Sequence, residues 1–131
     1  MESASFDSQK IYLKSVALQD LSEAIAAYFT SNRDSLSRKP YSSLRDDVST
    51  SLVADAKLIT KQIRLATSSH SYSTRMKSLA FINIMTQNIL AYCNGLEKDG
   101  VKEKEYLNLL RTEIRSFRVS FKKWRKSFKN E

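Results

Sequence analysis

Between residues 109 and 130 the chain reads LLRTEIRSFRVSFKKWRKSFKN, and an apolar side chain is repeatedly followed at once by a basic one: Leu110-Arg111, Ile114-Arg115, Phe117-Arg118, Phe121-Lys122, Trp124-Arg125 and Phe128-Lys129. Guanidinium groups offer paired donors to phosphates and carboxylates, and ammonium groups offer point charge, so the chemistry within reach is the binding of anions. On a helix each residue advances about 100°. Leu107, Leu110, Ile114, Phe117, Phe121, Trp124 and Phe128 then form one stripe with the alternating rhythm of a bundle seam. Arg111, Arg115, Arg118, Lys122, Arg125 and Lys129 form a second stripe beside it, widened by Lys123 and Lys126. Glu113 is the only acid between Arg111 and Lys129. Solvated helix faces normally mix both signs, because like charges three or four residues apart repel. A face that accepts this repulsion is expected to meet a polyanion, RNA or DNA. Other readings stay open. The basic side chains could be a solubilising edge along a core stripe, or the helix could dock on an acidic protein partner. An interfacial membrane helix also combines basic residues with Phe and Trp, but the narrow seam suits a bundle better, and no membrane partner is expected.

Candidate chemistry elsewhere is thin. The sole histidine, His70, lies in a serine-rich turn, and Cys93 lies on an apolar stripe, where it reads as a small core residue. Asp46-Asp47 falls in a helix first turn, where the dipole accounts for acids without a metal. There is no second histidine, no glycine-rich phosphate loop and no nucleophile–base pair, so neither catalysis nor a cofactor or metal is expected.

The elements that must position the basic track are helical. The 131 residues hold 2 glycines and 1 proline, too little punctuation for the frequent turns of a sheet. Apolar content of 41% and charged content of 27% are those of one ordinary globular domain. Net charge is +8, with a pI near 9.7. Residues 111–131 contribute 8 basic and 2 acidic groups, so most of the excess sits in the last sixth of the chain. A single cysteine fits a reducing compartment. The opening MESASFDSQK has neither a basic nor an apolar leader region, and a cytoplasmic location is expected.

Four helical segments follow from the stripes, at about 7–30, 43–67, 73–95 and 102–129. The first carries Ile11, Leu18, Leu21, Ile25, Tyr28 and Phe29; the second carries Leu44, Val48, Leu52, Ala56, Ile59, Ile63 and Ala66 behind a Ser43–Asp46 start signal. The third, with Met76, Leu79, Ile82, Met85, Ile89, Tyr92, Cys93 and Leu96, adds Phe81, Ile84 and Leu90 on a neighbouring track and is expected to lie deepest. Connections are expected near 31–41, around Leu36 and Pro40, near 67–73, and near 95–101, where Gly95 and Gly100 end the third helix. Short loops between long helices predict an all-α, antiparallel up-down four-helix bundle over residues 1–131. Tyr12, Phe81, Ile84 and Leu90 fall off the main seams, which leaves spare apolar surface for a homo-oligomer.

In order and length the pattern resembles the accessory variability determinant (Avd) proteins of diversity-generating retroelements and the related 23S rRNA intervening-sequence proteins. The resemblance rests on the second-helix repeat closing in IRLA, on SLAFINIMTQNILAYCNGL, on GVKEKEYLNLL and on EIRSFRVSFKKWRKS, over about residues 10–128. Glu113-Ile114-Arg115, Trp124 and Lys126-Ser127 stand where that family's last helix carries similar residues. Lys122-Lys123 stands where the family usually has Gly-Gly, and the aromatic-proline pair that commonly ends its first helix is missing. The resemblance implies a homopentameric barrel of four-helix subunits that binds nucleic acid and a retroelement reverse transcriptase.

Overall fold

The computed structural model describes residues 2–31 and 44–129, with side chains over 6–30 and 44–128. Those residues form four helices and no strand: α1 (Glu2–Ser31), α2 (Leu44–Ser68), α3 (Tyr72–Lys98) and α4 (Lys104–Lys129). The connection expected at 31–41, with Leu36 and Pro40, lies outside the described residues, as do Ser43 and the side chain of Lys129.

Each helix buries one heptad-spaced seam. In α1 the seam is Ile11, Ser15, Leu18, Ser22, Ile25 and Phe29; in α2 it is Ser49, Leu52, Ala56, Ile59, Ile63 and Ala66. Small residues let α1 and α2 lie close. Two of the buried hydroxyls fold back on their own helix: Ser15 Oγ donates to the Tyr12 carbonyl at 2.6 Å, and Thr86 Oγ1 to that of Asn83 at 2.7 Å. The α4 seam is bulkier. Phe117, Phe121, Trp124 and Phe128 form a ladder of rings with successive centroids 6.1, 6.1 and 5.0 Å apart. Trp124 is completely buried, and its indole N–H donates to Ser8 Oγ of α1 at 3.1 Å.

Each helix packs against two neighbours, α1 and α3 each on α2 and α4, and the α3–α4 seam is the loosest of the four. It is held at one end by Arg111, which donates to Asn94 Oδ1 at 2.9 Å and Glu97 Oε1 at 3.2 Å, and at the other by Arg75, whose guanidinium lies 4.8 Å from the Phe128 ring centre. Among the described residues no helix is long and apolar enough to cross a membrane.

The boundaries differ from expectation in three places. Helix α1 starts five residues before position 7, because ESASF carries no apolar stripe for a periodicity to detect. Helix α3 is not the deepest: Phe81 and Ile84 are each 53% exposed, whereas Leu107, Leu110, Ile114, Phe117 and Trp124 of α4 are fully buried. Its wide apolar arc faces outward on one side instead of inward all round. Nor does Gly95 end α3. The helix runs a further turn to Lys98 and closes in a Schellman motif, with Val101 N–H on the Leu96 carbonyl and Gly100 N–H on the Glu97 carbonyl, both at 3.1 Å. Val101 and Leu96 are both buried, the apolar contact that accompanies this cap.

The two glycines should therefore respond to alanine with opposite signs. Gly100 has φ +89°, a conformation that costs an L-residue about 1–2 kcal/mol. Gly95 is helical, and alanine there should add about 0.5–1 kcal/mol of stability. A Cβ at either site meets nothing within 4 Å, so backbone conformation alone decides both results. Urea denaturation of Gly100→Ala and Gly95→Ala is the check.

Candidate functional site

Three contacts locate one end of the bundle. Ser8, early in α1, meets Trp124, late in α4. Tyr12 of α1 meets Arg64, late in α2, and Arg75 at the start of α3 lies over Phe128 near the end of α4. Side chains that are far apart in sequence thus share this end. Helix α1 brings Lys10 and Lys14, α2 brings Lys61 and Arg64, and α3 brings Arg75 and Lys77. Helix α4 brings Arg115, Arg118, Lys122, Lys123, Arg125 and Lys126. Asp7 is the single acid among the described side chains on these helix ends, and Glu113 of α4 stands at their border, lining one shallow hollow with Lys10 and Lys14.

The opposite half is acidic. It holds Asp20 and Glu23 of α1, Asp46, Asp47 and Asp55 of α2, Glu97 and Asp99 around the end of α3, and Glu103 and Glu105 before and within α4. Several of these acids are engaged locally. Arg45 reaches Asp99 at 3.8 Å, and Lys57, near the middle of α2, reaches Glu23 at 3.8 Å. Asp55 accepts from Tyr92 Oη at 2.8 Å; burial, reinforced by that carboxylate, pushes the Tyr92 phenol up to about 12. Burial likewise pushes the Cys93 thiol up to about 11, so it carries little thiolate at neutral pH and behaves as core. His70 is exposed in the short turn before α3, whose N-cap is Ser71, accepting the Thr74 N–H at 3.3 Å.

The α4 track divides along its length. Arg111 stands apart from the basic end: its side chain is 13% exposed and its guanidinium is shared among Asn94, Glu97 and Asn108. These bonds place the flank it heads on the α3 side of α4. Arg118 and Arg125 are half-buried, Arg125 lying 5.7 Å from the Phe121 ring centre, while Arg115, Lys122, Lys123 and Lys126 are exposed. Lys129 ends α4, with its side chain outside the described set. Exposed ammonium and guanidinium groups within about 10 Å of one another act as one field at moderate ionic strength, because that is the screening length.

The six basic residues of α1, α2 and α3 do not stand out in the sequence, since no two adjoin. A signal does exist: residues 56–96 contain no Asp or Glu, so no negative side chain stands between Asp55 and Glu97.

Compared with protein-family models, curated proteins and solved structures, the chain matches none of them.

Proposed function

We propose that this chain is a non-catalytic nucleic-acid-binding protein whose phosphate-binding surface is the basic end of the bundle. The observation that carries this reading is the sorting of charge: cations from all four helices at one end with one described acid, Asp7, and Glu113 at the border beside Lys10 and Lys14, against nine further acids in the other half. Like charges held together cost folding free energy, and an extended polyanion offsets that cost by releasing its own counterions. Arg115, Arg118, Lys122, Lys123, Arg125, Lys126 and Lys129 carry the contact on α4, with Arg111 at its margin. Contacts to phosphate give affinity without reading bases. Association with a retroelement reverse transcriptase and its RNA template extends the proposal through the resemblance to the Avd proteins, and a cytoplasmic location goes with it. The test of the binding reading is a filter-binding titration of RNA and DNA at two salt concentrations; an acidic protein partner in place of nucleic acid predicts no retention of either.

The same proposal includes an antiparallel up-down arrangement, supported by the end-to-end pairs Ser8–Trp124, Tyr12–Arg64 and Arg45–Asp99. It also includes a closed homo-oligomer, with a pentamer taken from the resemblance. Leu58, Leu65, Phe81 and Ile84 on α2 and α3 are 38–53% exposed, and apolar residues gathered on one face of a small chain favour an interface. Light scattering at micromolar concentration should give a multiple of 15.0 kDa; a monomer refutes this part.

A further inference from the structure

At the basic end an open groove of about 590 Å³ runs between the start of α1 and the end of α2. Its walls are apolar, from Tyr12, Leu13 and Ile63. Leu13 is 68% exposed, although it is a large aliphatic side chain. The guanidinium of Arg64 lies 5.1 Å from the Tyr12 ring centre and donates to Tyr12 Oη at 2.6 Å, so a ring and a planar cation are fixed against each other. Gln9, Thr67 and Ser68 supply amide and hydroxyl groups along the groove, and the Ser8 hydroxyl, which accepts from Trp124, keeps its own proton to donate. No carboxylate lines it.

We propose that this groove holds an unstacked base of a single-stranded nucleic acid whose phosphates lie on the surrounding cations; the inference rests on the nucleic-acid reading above. Three features select that occupant. Aromatic and guanidinium planes are the surfaces on which bases stack, and they accept any base because every base has a π face. The volume falls within the roughly 300–1,000 Å³ of small-ligand sites, which suits a flipped base and not a rigid duplex. Hydroxyl and amide groups both donate and accept, so they satisfy a base edge without choosing one. The positive field around the groove matches the strand that must follow the base out.

The test uses the full chain, a 15-nucleotide RNA, its DNA counterpart and the corresponding duplexes, with 2-aminopurine as a stacking reporter. Tyr12→Ala should weaken single-strand binding by about 5- to 150-fold, the range of one lost base–aromatic stack, and leave duplex binding within twofold. Tyr12→Phe, which keeps the ring and loses only the Arg64 hydrogen bond, should lose much less single-strand affinity than Tyr12→Ala. Ser68→Trp, at an exposed position that fills the groove from its rim, should reproduce the loss without touching the core, which covers the case in which Tyr12→Ala fails to fold. Quenching of 2-aminopurine on binding should disappear in Ser68→Trp. Single-strand affinity and quenching unchanged in both Tyr12→Ala and Ser68→Trp would overturn the groove while the phosphate surface stands. Equal displacement by free uridine monophosphate would overturn it in favour of a mononucleotide site. Failure of the unaltered chain to bind any strand or duplex would instead remove the nucleic-acid reading itself.

Discussion

Trp124→Ala is expected to cost about 3–5 kcal/mol of folding stability, the usual range for truncating a large buried aromatic. The side chain is completely buried, sits between the Phe121 and Phe128 rings, and ties α4 to α1 through Ser8. Its loss opens a cavity between the Phe121 and Phe128 rings, beside Ser8. Domains of this size carry about 5–15 kcal/mol in total, so the variant should melt about 10–20 °C lower. Ser8→Ala removes the hydrogen bond alone and should cost only about 0.5–1.5 kcal/mol. Thermal melts of the two variants separate packing from hydrogen bonding; a Trp124→Ala melt within about 2 °C of the unaltered chain would contradict the buried ladder.

Charge variants should behave in the opposite way, leaving the melt and changing affinity. Changing Arg115, Arg118 and Lys122 together to glutamine should weaken nucleic-acid binding at low salt with helix content intact, because Arg115 and Lys122 are exposed and Arg118 is half-buried. Lys61→Gln combined with Lys77→Gln, on α2 and α3, should weaken it per residue as the α4 changes do. That result follows from the shared end and not from the α4 stripe alone. Lys98→Gln with Lys104→Gln, in the acidic half, is the matched control and should change little.

How much of this was legible before folding depended on what each position contributed to a pattern. The α4 stripe and its basic flank could be read because an apolar–basic pair recurs every three or four residues from Leu110 to Lys129. The seam positions Ser15, Ser22, Ser49 and Thr86 could not, since an apolar periodicity skips hydroxyls that are buried by close helix approach. Among the described residues the hydroxyls of Ser22 and Ser49 find no hydrogen-bond partner, a local cost that no propensity anticipates. Gly95 misled for a related reason: a glycine is a stop signal only where φ must be positive, and that position is Gly100. Phe81 and Ile84 counted as depth in the sequence but lie at the surface. Lys61, Arg64, Arg75 and Lys77 become a site only when α2 and α3 bring their adjoining ends beside the start of α1 and the end of α4, which no single helix face reveals.

The most direct measurement is the slope of log affinity against log salt for the unaltered chain and for the Arg115→Gln, Arg118→Gln, Lys122→Gln variant. Each lost phosphate contact flattens the slope by about 0.7 on a single strand and about 0.9 on a duplex. Three lost contacts should therefore lower it by about 2–3 units for each binding site, with circular dichroism unchanged. If the variant binds RNA and DNA with the slope of the unaltered chain, the basic end does not hold phosphates and these cations serve only to keep the helix in solution.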